Sequence, residues 1–272
     1  MRFVWGDWGR GAAALVGILV LASSTALAAG TNLVTNGSFE SPVVSGTAFF
    51  AAPSTGLTGW NLTAGSIDLD NSQVWQAAAG SQSVDLSGYA DSPGTISQNV
   101  PTTSGEKYLL QFAMSGNPFC GVETVQLTAS WGGSAVASPT YDTSQISPSP
   151  RPVSNMDYTW HLYVVSGAAS AASTPLQFSS LTDSSCGPVL DAVSVTNAYT
   201  GICQVVQADS TKAGLANSLC AKLSAAQADG LRGNVKAESG VLNAFANELS
   251  AQSGKALTPD QATQIAGLAA QL

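Results

Sequence analysis

The sequence is poor in charged side chains and contains a single histidine. Only 10% of its 272 residues are charged, whereas 44% are hydrophobic. This balance excludes an intrinsically disordered chain, because disorder requires low hydrophobicity and high net charge. Nine basic residues stand against 17 acidic ones, giving a net charge of −8. No nucleic acid partner is expected, since that binding depends on Lys and Arg side chains that neutralise phosphates.

The sequence also lacks the short motifs that identify common catalytic and metal sites. It contains no GxSxG nucleophile motif, no HExxH zinc motif and no P-loop. Its four cysteines show no CxxC spacing, so zinc binding through sulfur is not expected. An even number of cysteines suits disulfides, and four cysteines allow three pairings. Sequence position favours Cys120–Cys186 and Cys203–Cys220, because each bridge then stays within one domain.

Residues 1–28 have the features of a secretory signal peptide. Arg2 and Arg10 supply positive charge, residues 12–21 form an apolar run, and residues 26–28 (Ala-Leu-Ala) match the small-x-small cleavage pattern. The alternative is a membrane anchor, but a helix needs about 20 apolar residues to span a bilayer. We therefore expect cleavage after Ala28 and a secreted, extracellular protein with no membrane span after signal removal.

The composition changes near Tyr199 and predicts two domains, residues 29–198 and 199–272. Residues 30–198 carry 11 acidic and two basic side chains, whereas residues 199–272 carry five of each. Tryptophan, proline and glycine concentrate in the first part, and Ala, Leu and Gln in the second. Each part is expected to fold separately.

The first domain has the alternating pattern of short strands. Tyr108, Leu110 and Phe112 share one face of a predicted strand and are expected in the core. Further strands are predicted in residues 60–62, 83–86, 96–100, 125–129, 160–164, 176–178 and 190–195. Eight or more short strands in about 170 residues indicate a mainly β fold, an antiparallel jelly-roll β-sandwich.

The second domain has helical spacing and predicts a small three-helix bundle. Leu215, Leu219 and Leu223 recur every four residues, and Leu242, Phe245 and Leu249 follow at spacings of three and four. Residues 258–261 (TPDQ) predict a helix start, with Thr258 as N-cap and Gln261 closing a capping box. Ile265, Leu268 and Leu272 then line one face of the last helix.

Separated motifs across the first domain resemble one family. They are residues 32–40 (NLVTNGSFE), 59–60 (GW), 75–78 (WQAA), 80–88 (GSQSVDLSG), 94–98 (GTISQ), 116–118 (GNP) and 187–195 (GPVLDAVSV). In this order they resemble the bacterial choice-of-anchor C family, which is related to the plant cell-wall domain of unknown function 642. The resemblance implies a galactose-binding-domain-like β-sandwich, the architecture of many carbohydrate-binding modules, at extracellular surfaces.

The helical part resembles a second family on fewer residues. Residues 218–223 (SLCAKL), 244–245 (AF) and 254–258 (GKALT) are similar to the FIMAH-type module at the C-terminus of secreted enzymes and adhesion proteins. This resemblance implies an interaction module, so an extracellular protein partner is expected to bind through the helices.

The first resemblance also implies a structural calcium ion. In related sandwich modules the first and last strands lie together, and acids at that junction hold Ca²⁺. Glu40 and Asp191 are the candidate ligands here, with Asp85 as a third, because Ca²⁺ takes six to eight oxygen ligands. The alternative is that Glu40 caps a turn and Asp191 accepts backbone hydrogen bonds.

Sugar recognition needs aromatic rings that stack on pyranose faces and polar groups that bind hydroxyls. The candidate platforms are Trp75, Trp60 and Trp131, together with Tyr141 and Tyr158. Asp68, Asp70 and Gln76 are expected to surround Trp75 and supply polar contacts. The alternatives are core packing for each aromatic ring and loop solvation for the polar side chains.

The sequence therefore predicts a non-catalytic protein that binds a polysaccharide or glycan at a cell wall or in the extracellular matrix. The first alternative is a structural or adhesion protein that binds other proteins through both domains. The second is a hydrolase that uses a carboxylate pair, which the many acids allow without specificity. His161 lies in an alternating segment and is expected to face solvent, opposite Trp160 and Leu162.

Overall fold

The described residues form two large antiparallel sheets, one small two-stranded pair and four C-terminal helices. The computed structural model describes residues 18–20, 31–89, 92–121, 123–146, 150–166 and 172–272. Apart from Ile18–Val20, which forms a short strand, the predicted signal peptide lies outside the described residues. Among the described residues, no helix is both long and apolar enough to cross a membrane.

The described residues contain fifteen strands. They are β1 (Ile18–Val20), β2 (Thr47–Ala51), β3 (Asn61–Ala64), β4 (Ser66–Asn71), β5 (Gln82–Asp85), β6 (Ser87–Gly88), β7 (Ser92–Pro93), β8 (Thr95–Pro101), β9 (Lys107–Gly116), β10 (Thr124–Trp131), β11 (Ser134–Ala137), β12 (Thr140–Asp142), β13 (Thr159–Ser166), β14 (Ser173–Ser180) and β15 (Pro188–Asn197). The predicted strands all appear among them, while β2 and β4 were not predicted.

The larger sheet has seven strands in the order β1-β13-β9-β15-β5-β4-β2. The second sheet has six strands, in the order β11-β10-β14-β8-β3 with β12 also paired to β10, and β6 and β7 form a small separate pair. Every pairing between these strands is antiparallel. The prediction of a mainly β, antiparallel fold is confirmed.

The main core lies between the two sheets. Phe112 of β9 meets Phe178 of β14 edge to face at 5.1 Å between ring centroids, and Trp60 lies 6.2 Å from Phe178. Edge-to-face contact is a favoured geometry for aromatic rings. Tyr108, Leu110 and Phe112 all belong to this core cluster, as the strand pattern predicted.

The two ends of the sandwich lie side by side. The backbone N–H of Leu33 donates to the carbonyl of Val195 at 2.9 Å, and the N–H of Val193 donates to the carbonyl of Gly37 at 2.8 Å. A Cβ atom at Gly37 would fall 1.9 Å from the Val193 carbonyl oxygen, so this close approach requires glycine. The expected meeting of the first and last segments is confirmed.

Four helices follow the sandwich, so the prediction of three is wrong. They are α1 (Ala198–Asp209), α2 (Ala213–Leu231), α3 (Val235–Gln252) and α4 (Pro259–Ala269). The unexpected helix is α1, whose buried Ile202, Val205 and Val206 cover barely more than one helical turn. The Thr258–Gln261 capping box is confirmed at the start of α4.

The helices pack on the outer face of the seven-stranded sheet. Leu109 of β9 and Leu162 of β13 belong to the helical core cluster, and Trp160 and Val164 pack against it. Residues Tyr108 and Leu110, which alternate with Leu109, face the other way into the sandwich. Strands β9 and β13 are therefore covered on both faces. Separate folding of the helices stays a prediction, and the core that the helices share with the sheet argues against it.

His161 is buried, so the prediction that it faces solvent is wrong. Its side chain is 5% exposed and stacks on the ring of Phe112 at 5.1 Å. Trp160 and Leu162 do face the opposite side, but that side lies beneath the helices. Burial lowers the pKa of His161 to about 4.

The two disulfides join the predicted partners. Cys120–Cys186 closes a separation of 66 residues in the sandwich, and Cys203–Cys220 ties α1 to α2. The second bridge helps a small helical core, since such cores contribute limited stability on their own.

We predict that Leu162→Ala lowers the free energy of unfolding by about 2–4 kcal/mol, because it leaves a cavity between helices and sheet. Leu162 is 3% exposed, whereas Leu181 is 54% exposed and serves as the matched control. Leu181→Ala should change stability by no more than about 0.5 kcal/mol. Chemical denaturation of both variants measures the difference, and equal losses would show that the helices do not bury Leu162.

We also predict that the unfolding free energy of the protein depends on His161 below pH 6.5. An unfolded imidazole titrates near pH 6.5, so between about pH 4 and 6.5 the unfolded state binds more protons than the folded state. Lowering the pH through this window therefore destabilises the fold. His161→Phe keeps an aromatic ring and removes this contribution, so its stability relative to wild type should rise by up to about 3 kcal/mol across the window. Urea titrations at several pH values test this, and parallel pH profiles would contradict it.

Candidate functional site

A cleft of about 520 Å³ opens on the outer face of the seven-stranded sheet. It lies over β2 and β4, at the opposite end of the sheet from β13, which the helices cover. Its lining residues are Thr47, Phe49, Asp68, Asp70, Val74, Trp75, Tyr89, Asn117, Phe119 and Arg151. One sheet face thus carries both the helical cover and an open cleft lined by aromatic and polar side chains.

Strand register brings acidic side chains together on the cleft floor. Ile67 and Leu69 of β4 lie in the core, so the alternating Asp68 and Asp70 face outward. Asp68 pairs across the sheet with Asp85 of β5. Directly opposed residues have Cβ atoms about 4.5–5.5 Å apart, which brings these two carboxyl groups close.

Burial raises the pKa of all three acids. The pKa of Asp68 rises to about 6 and that of Asp70 to about 7, in both cases chiefly because burial disfavours the charged form. The charge of Asp68 adds to the rise at Asp70, while the Thr47 hydroxyl and Arg151 oppose it. The pKa of Asp85 lies well above its ordinary value, also because of burial.

Asp85 connects the cleft floor to its rim. Its Oδ1 accepts hydrogen bonds from the backbone N–H groups of Ser87 at 2.8 Å and Gly187 at 3.0 Å. Its Oδ2 accepts from the side-chain amide of Asn117 at 2.8 Å. Asn117 in turn accepts from the N–H of Phe119 at 3.0 Å and caps the 3₁₀ turn Pro118–Cys120. The buried carboxyl group therefore orients the turn that presents Phe119.

Aromatic side chains form the walls of the cleft. Phe49 is 49% exposed and Tyr89 is 85% exposed. Phe119 is half-buried, and its ring centroid lies 5.9 Å from that of Trp75. The guanidinium carbon of Arg151 lies 4.4 Å from the ring centroid of Phe119. Such a geometry is a cation–π contact. The cleft thus combines apolar ring surfaces with charged and polar groups.

Two of the predicted polar residues line this cleft. Asp68 and Asp70 do so, although they belong to β4 and not to a loop. Gln76 is exposed and is not part of the lining; its backbone carbonyl accepts a hydrogen bond from the Tyr158 hydroxyl at 3.1 Å.

The three tryptophans predicted as sugar-binding platforms are buried, which corrects that prediction. Trp60 is 2% exposed, Trp75 is 1% exposed and Trp131 is 5% exposed. Each indole N–H donates inside the protein: to the Asn36 carbonyl, to the Ser83 hydroxyl and to the Ser166 carbonyl, respectively. Rings held in the core cannot stack on a sugar from solvent, so core packing is what these residues do. Trp75 backs the cleft wall, and Tyr141 is buried as well.

The exposed aromatic residues of the cleft were missed from the sequence. Phe49 and Phe50 are neighbours in β2, so one of the two rings faces outward. Recognising this strand in the sequence would have indicated an exposed aromatic ring. Tyr89 and Phe119 lie in turns, where alternation gives no information.

The three acids predicted to hold calcium do not form one ligand set. Glu40 Oε1 accepts from the N–H groups of Ser81 at 2.7 Å and Gln82 at 2.9 Å. Asp191 accepts from the N–H of Ala79 through Oδ2 and from its neighbour Ala192 through Oδ1. Asp85 binds the rim turn instead. Glu40 and Asp191 thus hold the same loop, and the arrangement does not fit a single ion shared by all three.

Among the described residues, one group of potential metal ligands lies within 4.8 Å: Cys120, Glu123 and Cys186. The two sulfur atoms form a disulfide, so they offer no thiolate to a metal.

In comparisons with known proteins, residues 32–196 match a family model described as "Protein of unknown function (DUF642)". Halomucin of Haloquadratum walsbyi (strain DSM 16790 / HBSQ001) is 38% identical over 119 residues, which cover 39% of this chain and 1% of the length of Halomucin.

Solved structures similar to this chain include the following two. The enzymatically active domain of bacteriophage CBA120 tailspike protein 4 is 16% identical with a TM-score of 0.36, over 61% of this chain and 21% of that chain. A "Family 16 Carbohydrate Binding Module-2" is 15% identical with a TM-score of 0.34, over 61% of this chain and 100% of that chain.

Proposed function

This chain belongs to the family described as "Protein of unknown function (DUF642)", and we propose that its sandwich binds carbohydrate in the cleft without cleaving it. The family description names no activity, so the proposal rests on the geometry of the cleft. We further propose that the sandwich is a galactose-binding-domain-like jelly roll.

The observation that carries the proposal is the exposure of aromatic rings beside hydrogen-bonding groups in one open cleft. A pyranose ring presents apolar C–H faces and polar hydroxyl edges. Phe49 and Tyr89 offer exposed rings for the faces, while Asp68, Asp70 and Arg151 offer acceptors and donors for the hydroxyls. A mostly apolar lining with a few placed polar groups is typical of small-ligand sites.

Secretion is part of the proposal. Two disulfides suit an oxidising compartment, where such bonds persist. The acidic sandwich suits solubility after export, and residues 1–28 have the sequence features of a signal peptide. The protein then acts at a cell wall or in extracellular polysaccharide.

A second function, adhesion through protein contacts, is favoured by one observation on the helices. Leu231 and Val235 flank the turn between α2 and α3 and are 66% and 70% exposed. In this alternative the protein binds an extracellular protein partner through the helical part. Retention on a protein column with no retention on any polysaccharide would favour it over the cleft.

We predict that the protein is retained on an insoluble polysaccharide such as cellulose, xylan or chitin, and that Phe49→Ala weakens this binding roughly tenfold. The reason is the loss of an exposed ring from the cleft wall, since aromatic anchors dominate binding energies. Tyr89→Ala should act in the same direction. Leu231→Ala removes an apolar side chain that is 66% exposed and lies outside the cleft, so it should leave retention unchanged. Retention that survives both cleft substitutions would place the binding surface elsewhere.

Structural calcium stays a prediction that derives from the family resemblance. Its ligands would be Glu40 and Asp191 at the junction of the two ends, without Asp85, whose oxygens accept from the rim turn instead. We predict that EDTA lowers the melting temperature and that added Ca²⁺ restores it, because a ligand that binds only the folded state stabilises it. Glu40→Gln should remove the response. A melting temperature that neither EDTA nor Ca²⁺ changes would eliminate the ion.

A further inference from the structure

Most ionisable side chains of the cleft are acidic. Three carboxyl groups line or underlie its floor, and Arg151 is the one basic side chain in its lining. Within the part of the chain that the structure describes, no ion pair joins Arg151 to Asp68, Asp70 or Asp85. Its guanidinium lies instead over the ring of Phe119, 4.4 Å from the ring centroid.

Asp68 has an oxygen atom that lacks a hydrogen-bond partner. Its Oδ1 is shielded from solvent and accepts no hydrogen bond within the described structure. The Asp68 carboxyl group does accept a hydrogen bond from the backbone of Tyr89, Asp70 accepts from the Thr47 hydroxyl, and both oxygens of Asp85 accept from N–H groups. The Asp68 side chain as a whole is nevertheless partly exposed, whereas Asp70 is 3% and Asp85 0% exposed, so Asp68 is the acid of the three that a ligand in the cleft can reach.

The arrangement suits a cation larger than a metal ion. The three carboxyl groups do not form a set whose oxygens all lie within 4.8 Å of one another, in the described residues. A compact divalent cation needs several oxygens around one point. An ammonium group needs less: it donates three hydrogen bonds, carries a positive charge, and is attracted to aromatic faces such as those of Phe49 and Tyr89.

We propose that the cleft selects a glycan that bears free primary amines, a de-N-acetylated hexosamine polymer, with Asp68 accepting hydrogen bonds from the sugar ammonium group. This inference rests on the proposed carbohydrate function and names its ligand class. A neutral hydroxyl supplies a weaker donor than an ammonium group, since hydrogen bonds between charged partners are roughly twice as strong. A uronic acid would bring a further negative charge to the carboxyl groups and is disfavoured.

Three β-1,4-linked hexamers that differ only at C2 test the proposal: a glucosamine hexamer, an N-acetylglucosamine hexamer and a glucose hexamer. Titration calorimetry at near-neutral pH and low salt should show that the amine-bearing hexamer binds at least ~10-fold more tightly than the other two. Its advantage should shrink at high salt, because salt screens charge interactions near the surface.

Asp68→Asn keeps the shape of the side chain and removes its charge. We expect this variant to lose the preference for the amine, so that its affinities for the three hexamers lie within about twofold of one another. Asp260→Asn, an exposed substitution on α4, is the matched control for a general change of charge and should leave the preference intact. Melting curves of both variants confirm that they are folded.

The outcomes separate this inference from the proposed function. Equal binding of all three hexamers by the wild type overturns the amine preference and leaves carbohydrate binding standing. Binding of none, with no retention on polysaccharides, overturns the proposed function. Competition by a linear polyamine as effective as the glucosamine hexamer would show that the cleft recognises charge alone, and it also overturns the inference.

Discussion

The seven-stranded sheet has two faces, and the fold depends on how each face is covered. Its inner face packs on the second sheet, where Phe112 meets Phe178. Its outer face is divided: the helices bury Leu109 and Leu162 at one end, and the cleft opens over β2 and β4 at the other. Apolar side chains on the covered part need the helices to shield them from water, whereas polar side chains on the open part can face water. The position of the candidate site thus follows from the division of one surface.

Asp85 links the interior to that site. It is fully buried, yet its carboxyl group accepts hydrogen bonds from the turns that carry Ser87, Asn117 and Gly187. A buried polar group is tolerated when it is fully hydrogen-bonded, and such a network specifies one arrangement of the chain around it. The Cys120–Cys186 disulfide lies directly beside these turns. The rim that presents Phe119 is therefore held from two sides.

Local patterns predicted much of the fold. The alternation in β9, the capping box at Thr258 and the two disulfide pairs follow from residue spacing, and the structure agrees with each. The predictions that were wrong concern features that depend on tertiary contacts. His161 alternates as an outward-facing residue would, but no local signal shows which face of β13 meets the core. A tryptophan suits a sugar-binding platform because it is large and polar at one edge, but the same size suits it to a core, and its sequence position does not distinguish the two. The short apolar pattern of α1 spans too little chain to predict a helix alone.

The direct passage from β15 into α1 has a mechanical consequence. Asn197 ends a strand that is flanked on both sides within the sheet, and its side chain accepts hydrogen bonds from the first N–H groups of the helix. With no flexible tether between them, and with the helices seated on β9 and β13, the two halves cannot swing independently. A ligand bound in the cleft would therefore keep a fixed orientation relative to the helices that cover β9 and β13.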